Sequence, residues 1–488
     1  MNDHKALYRY LPFIILIYFF IHFSNDLYLF ISTELIVAKV IQYFLITGLI
    51  YYAGYIIFSD KRRYILIFVS LLFFYLFFGS FIDTLKLMGL YDLQLMSIRV
   101  QFIFFFGVTV LAIVLLCRVS SNVVRHFLFF WTLYIGILLA YDIISFLIVQ
   151  KNEKRYFSNN EKINLIRSVA KPSVFYLVFD MYPSDSSLMK YMGHDNRAIS
   201  SFLKEQGFFV AGNSKALYDA TYYSLASTFS LLELGYLKDK SVAVHKKPLI
   251  ALKNIERSKV PLLFSKSGYI VRNYSVFNLL NEKSPLQWNL GEHTNDALTA
   301  STFFNRINVG FDPDFFENTR GVDFSWLKKS WSSKARQDLF FLRGELNKLL
   351  NDSKTINQPS FNYFHYPMPH PPVLFDSSGR ETKFKDMFSH GGLIKSKENF
   401  ISYLKFTNAE IKNIVTSIFQ IFGSNVVIII QGDHGYREFP DKFPSELRYA
   451  IFNAVYLPNR KYEGFNDSIT PIETIKEVLT SQFDYPVD

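Results

Sequence analysis

The sequence predicts a multi-span α-helical membrane domain followed by an exported α/β domain with a mostly parallel central sheet. Three observations point to this. Apolar stretches long enough to cross a bilayer crowd the first 150 residues. Half of the 488 residues are hydrophobic, 18% are aromatic and only 19% are charged, which is too apolar for an ordinary water-soluble chain. Beyond residue 171, short uninterrupted apolar runs alternate with helical patterns, the signature of strands covered on both faces.

A spanning helix needs about 20 mostly apolar residues, because the hydrocarbon core is roughly 30 Å thick and each residue rises about 1.5 Å. Five stretches qualify, near 10–23, 40–58, 64–82, 100–117 and 127–149. The last contains Asp142; an acid inside a span is costly and often functional, but this one is close enough to the far end for its carboxyl to be expected at the interface. Lys5, Arg9, Lys61, Arg62, Arg63, Arg118 and Arg125 fall on one side of these spans, against Lys39, Lys86 and Arg99 on the other. The positive side is expected to be cytoplasmic. With an odd number of spans, everything after about Gln150 then lies outside the cytoplasm, behind an uncleaved first span. The expected location is a bacterial cytoplasmic (inner) membrane, with the α/β domain on its periplasmic or extracellular side.

The net charge of +10 divides unevenly: residues 1–171 carry +7 and the remainder +3. That bias belongs to membrane topology and gives no nucleic-acid partner. The single cysteine, Cys117, excludes a disulfide framework, a Cys-rich zinc module and an iron–sulfur cluster, so any metal is held by His, Asp, Glu or hydroxyls. Three segments follow: a membrane domain at 1–150, a polar connector at 151–171 and an extracytoplasmic α/β domain at 172–488. In the last, strands are expected at 174–179, 208–210, 269–276, 360–364, 425–430 and 451–457, with helices near 196–205, 223–234, 334–350 and 408–422.

Ligand sites in such sheets lie beyond the carboxyl ends of the strands. The run Val174-Phe-Tyr-Leu-Val-Phe179 ends in Asp180, and the run from Asn425 ends in Gly432-Asp433-His434-Gly435. Adjacent oxygen and nitrogen donors suit a divalent metal, and the glycines let backbone turn or approach closely; a plain turn with a satisfied histidine is the other reading. The run Phe361-Asn-Tyr-Phe364 ends in His365-Tyr-Pro-Met-Pro-His370-Pro-Pro, whose prolines stiffen a segment that either contacts substrate or metal, or serves structure alone. His194, His245, His293 and His390 stand in polar loop sequence and are expected on the solvated surface. Thr221-Tyr-Tyr-Ser-Leu-Ala-Ser227 opens a helical pattern, where a hydroxyl caps the helix or, aided by the helix dipole, attacks phosphorus.

Together these residues resemble the alkaline phosphatase and sulfatase superfamily, in its membrane-anchored branch of lipoteichoic acid synthases and phosphoethanolamine transferases. The resemblance spans residues 172–483 and also draws on Phe452-Asn-Ala-Val-Tyr-Leu-Pro458 and Ile469-Thr-Pro-Ile-Glu473. It implies an alkaline phosphatase-like, sulfatase-like domain with Asp180, Thr221, Asp433 and His434 as ligands of one divalent metal, zinc or manganese, and Thr221 also as nucleophile. It casts His365 and His370 as substrate-phosphate or leaving-group histidines, or as helpers for a second metal. Asp180 departs from the Glu common in that branch. The C/S-x-P-x-R motif of sulfatases does not occur, which disfavours sulfate-ester hydrolysis.

The implied activity is transfer of a phospholipid-derived head group, phosphoethanolamine or phosphoglycerol, through a phosphothreonine onto an envelope glycan or lipid, such as a polysaccharide or lipopolysaccharide. The partners would be a phospholipid donor, that acceptor and the membrane. A phosphodiesterase- or phosphatase-type hydrolase and a non-catalytic envelope scaffold are the alternatives.

Overall fold

The computed structural model describes residues 8–27, 31, 33–87, most of 106–120, 121–149, 165–166, 171–240, 242, 246–287, 298–305, 325–353, 358–387, 396–438 and 443–485. It divides into two compact units. One comprises Met1–Arg155 together with Glu292–Phe311, and the other Tyr156–Gly291 with Asp312–Asp488.

In the first unit, helices α1 (Leu11–Leu27), α2 (Thr33–Ile57), α3 (Lys61–Leu87) and α4 (Ser121–Val149) follow the apolar stretches. Thr33–Ile57, Lys61–Ile82 and Ser121–Ser145 are long and apolar enough to cross a membrane. The span expected at 100–117 and the connector expected at 151–171 lie mostly outside the described residues. Asp142 is buried, its Oδ2 lies 2.9 Å from His22 Nδ1, and Asn25 donates to its backbone carbonyl at 2.8 Å. A buried acid is held by partners on a neighbouring helix because hydrocarbon offers it none. Residues from the middle of the chain return to this unit. Gly79 N–H donates to the Ser301 carbonyl at 2.7 Å, and Phe303 packs edge-on against Phe78.

The second unit is built on a six-stranded sheet of order β2-β6-β5-β1-β4-β3. Its strands are β1 (Ser173–Phe179), β2 (Phe209–Ala211), β3 (Ile270–Tyr274), β4 (Ser360–Tyr366), β5 (Val426–Gly432) and β6 (Asn453–Tyr456). The pairs β1–β4, β1–β5 and β3–β4 are parallel, and only β6 runs antiparallel to its neighbours. All seven residues of β1, β4 and β5 are buried, so both faces are covered, as the apolar runs of β1 and β5 require, and β4 buries Ser360, Asn362 and His365 as well.

On one face, Phe229 of α5 (Thr221–Ser230) packs against Tyr176 and Tyr363. Phe264, from the helix Lys259–Lys266, stacks on Phe361 of the same face. On the other, Phe422 at the end of the helix Lys397–Phe422 meets Phe175. Alternation along β4 puts His365 on the Phe361 and Tyr363 face, the side from which α5 projects. The expected mostly parallel α/β architecture is therefore present, every expected strand differing only at its ends.

Candidate metal centre

Register builds the site. Phe179 is paired with Gly432 and Val178 with both Gln431 and His365. Parallel in-register strands thus carry Asp180 and Asp433, each the next residue of its chain, to the same level at the carboxyl edge of the sheet. Gly432 permits this approach, because a Cβ there would lie 2.4 Å from the Tyr182 carbonyl oxygen. At Gly435 a Cβ would meet the Leu447 carbonyl at 2.0 Å, so the turn after His434 also requires glycine.

Two of the three donor residues, Asp433 and His434, are oriented by a bond on the far side. Asp433 Oδ1 accepts from the backbone N–H of Met181 at 3.0 Å and of His434 at 2.8 Å, which leaves Oδ2 aimed inward. His434 Nδ1 lies 2.8 Å from the Gly435 carbonyl, so Nδ1 carries the proton and Nε2 presents its lone pair. That Nε2 faces Asp180 Oδ1 at 3.4 Å and Asp433 Oδ2 at 3.7 Å. The three residues bring donor atoms within 4.8 Å of one another, and all are buried.

Asp180 Oδ1, Asp433 Oδ2 and His434 Nε2 have no hydrogen-bond partner among the described residues. Three buried acceptors aimed at one point without a donor incur a desolvation cost that a cation offsets. Two carboxylate oxygens and one imidazole nitrogen fit a divalent metal of the zinc or manganese type. Burial pushes the Asp180 carboxyl up, but the imidazoles of His370, His365 and His434 outweigh it, and the group is held well below the usual carboxylate range.

His365 is 1% exposed, with Nε2 unpartnered and 3.8 Å from Asp180 Oδ2. Its Nδ1 lies 3.2 Å from the Tyr363 hydroxyl. Burial pushes that phenol well above its usual range, so it stays protonated and able to donate. With the hydroxyl donating to Nδ1, a neutral His365 carries its proton on Nε2, as a hydrogen-bond donor rather than a metal ligand.

His370 has the opposite polarity. Its Nδ1 bonds to the Pro371 carbonyl at 2.8 Å, which leaves the Nε2 lone pair facing the Arg437 guanidinium at 3.4 Å. Arg437 also donates to the Asp219 carbonyl at 3.3 Å, two residues before Thr221. One exposed arginine therefore ties the His370 loop, the segment after His434 and the approach to α5 together. Thr221 is the first residue of α5, buried, and Ala220 occupies the capping position. Its hydroxyl makes no hydrogen bond among the described residues, so capping does not consume it.

Sequence reasoning named six site residues, and the structure joins Asp180, Asp433, His434 and His365 directly, with His370 and the turn before Thr221 linked through Arg437. It passed over Tyr363, whose only signal was its place two residues before His365 on the same face of a strand. Ile469–Glu473 serves the architecture, since Thr470 and Glu473 form a reciprocal capping box at the start of the helix Pro471–Phe483. His194 is partly exposed, while His245, His293 and His390 lie outside the described residues.

No protein-family profile and no curated protein matches the sequence. Among solved structures, the integral membrane lipooligosaccharide phosphoethanolamine transferase A (EptA) of Neisseria meningitidis aligns over 97% of this chain and 94% of its own, at 13% identity and a TM-score of 0.38. The C-terminal periplasmic domain of EcEptC from Escherichia coli, in complex with zinc, aligns over 66% of this chain and 84% of its own, at 10% identity and a TM-score of 0.37. The phosphonate monoester hydrolase of Agrobacterium radiobacter aligns over 65% and 74%, at 12% identity and a TM-score of 0.39. Similarity at this level assigns neither an activity nor a ligand to this chain.

Proposed function

We propose that this chain is a metal-dependent, membrane-anchored transferase of the alkaline phosphatase and sulfatase superfamily, which moves a phospholipid head group onto an envelope glycan or lipid through a phosphothreonine. The observation that carries this reading is the set of three buried, inward-facing and unpartnered acceptors on Asp180, Asp433 and His434. These residues, with the Thr221 hydroxyl, would hold the metal, zinc or manganese. Bound there, it supplies a lowered hydroxyl pKa and charge neutralisation at the transferring phosphoryl group.

The chain's own groups perform the rest. Thr221 Oγ1 bonds to phosphorus, the bond from phosphorus to the diacylglycerol oxygen breaks, and the proton lost by Thr221 ends on that oxygen. An acceptor hydroxyl then displaces Thr221, which recovers a proton. His365 Nε2–H is placed to donate to a phosphoryl or leaving oxygen, and His370 Nε2 to take the acceptor's proton. Arg437, adjoining both His370 and the approach to Thr221, offers two N–H donors to a phosphoryl oxygen. The membrane helices would keep the enzyme in the bilayer that supplies its donor, and the distribution of basic residues between the loops supports placing the α/β unit on the outer side of the cytoplasmic membrane.

Intact mass spectrometry tests this reading on the metal-loaded protein incubated with phosphatidylethanolamine or phosphatidylglycerol. The expected result is an adduct whose mass identifies the head group, absent from Thr221→Ala. Metal-loaded protein that forms no adduct with either lipid overturns it, and release of phosphate or head group without any acceptor identifies a hydrolase.

A further inference from the structure

The membrane unit contains a cavity of about 650 Å³ that none of the catalytic chemistry above uses. It lies between α2 and α3, with Thr299, Phe304 and Asn305 also in its wall. The wall is graded along the helices. At one end, Lys39 and Gln42 stand beside Tyr43, Tyr75 and Asn305. Toward the other end the lining is mostly apolar: Ile46, Ile50, Phe68 and Leu71, with the buried Thr47 among them. Ile46 and Ile50 are 50% and 59% exposed, so the cavity opens sideways, toward lipid.

Two features point to one occupant. Ile50 lies eleven residues beyond Lys39 on α2, about 16 Å of helix at about 1.5 Å per residue. That is close to the depth of one leaflet, about 15 Å of hydrocarbon. Lys39 stands six residues inside a helix long and apolar enough to span the membrane, with no charged partner among the described residues. A cation so placed is favoured by an anion brought to it at the interface.

We propose that this groove binds one glycerophospholipid from the surrounding bilayer, an acyl chain laid along Ile46, Ile50 and Phe68 and the phosphate on Lys39. The site is defined by binding and is independent of the chemistry at Thr221, so its test uses the full chain carrying Thr221→Ala. That protein is reconstituted in vesicles of phosphatidylethanolamine and phosphatidylglycerol doped with a phospholipid bearing a photoactivatable acyl chain, and labelled peptides are mapped. Label is expected to concentrate on α2 and α3 around the groove. Ile46→Trp, which fills the groove, should lower it about tenfold, equivalent to about 1.4 kcal/mol of lost binding. Leu49→Trp, at a 74% exposed position of the same helix outside the groove, should leave it unchanged. Lys39→Gln should lower phospholipid labelling about fivefold while leaving that from a diacylglycerol probe unchanged. Label spread equally over Leu49, Ile137 and the groove, or label unaffected by Ile46→Trp, overturns the proposal.

Discussion

Asp142 and Asp180 are both buried acids facing histidines, one in each unit of the molecule, and they differ in what their partners leave open. Asp142 lies 2.9 Å from His22 Nδ1, and Asn25 donates to its backbone carbonyl, so the cluster is closed. At Asp180 the nearest imidazole nitrogens stand 3.4 and 3.8 Å away, too far for a hydrogen bond, and three acceptors point inward unpaired. A protein that keeps polar atoms unsatisfied in its interior has another use for them. The first cluster holds helices together in an apolar medium, whereas the second is shaped for a cation.

The largest expected effect follows from that difference. In Asp433→Asn the amide oxygen still accepts from Met181 and His434, while an N–H donor replaces Oδ2. Activity should fall on the order of a thousandfold with the loss of several kcal/mol of metal assistance. The metal-free variant should nevertheless be at least as stable as the metal-free parent, because a donor now meets Asp180 and His434. Thermal unfolding with and without chelator checks both halves. The parent should gain about 3 kcal/mol at a hundredfold excess of metal over its Kd, and the variant should gain almost nothing. Equal metal stabilisation of the two proteins would remove the distinction between the clusters.

The membrane cluster should respond in the opposite sense. His22→Ala leaves the Asp142 carboxyl without its imidazole and should cost about 2 kcal/mol of stability. Chelator should have the same effect on this variant as on the parent, which unfolding in detergent would show. A metal-dependent change in the His22→Ala variant would mean that this cluster too holds a cation.

How far each cluster could be read from sequence has a physical basis. Asp180 and Asp433 end apolar runs, and parallel pairing of adjacent strands brings such ends to one level, so local pattern sufficed to nominate them. The Asp142–His22 pair joins residues 120 apart on helices that are apolar all round. Without a polar face, no periodicity reveals which side of a span meets its neighbour, so the pairing of Asp142 with His22 was not legible. The return of residues 298–305 to the membrane unit was equally hidden, since its contacts depend on single side chains such as Ser301 and Phe303. Arg437 follows Gly435 by two residues, but its link between His370 and the turn before Thr221 spans 67 residues in one direction and 218 in the other, beyond the reach of any local pattern.

That link carries a smaller prediction. Arg437→Gln removes an exposed guanidinium and should lower kcat/KM about tenfold, the effect of one charge-assisted contact worth about 1.4 kcal/mol. Metal affinity, read by titration of the chelated protein, should be unchanged, because Arg437 contacts none of the three metal-facing atoms. A loss of metal binding in this variant would assign Arg437 to the architecture of the centre instead of to its substrate.

The smallest expected effect tests the polarity of His365. The Tyr363 hydroxyl is buried behind the imidazole and donates to Nδ1, fixing the Nε2–H tautomer that faces Asp180. Tyr363→Phe keeps the ring stacked against Tyr176 and deletes only that donor. Nδ1 is then unpaired and the tautomer no longer fixed, which should cost about 1 kcal/mol and lower kcat about fivefold, with KM and metal affinity unchanged. If His365 were instead a metal ligand through Nε2, its Nδ1 would have to carry the proton and Tyr363 would have to accept it. Loss of that orienting partner would then weaken metal binding by about ten- to a hundredfold. Metal titration of Tyr363→Phe therefore separates a proton donor from a fourth ligand, although the distances around His365 are the same in both cases.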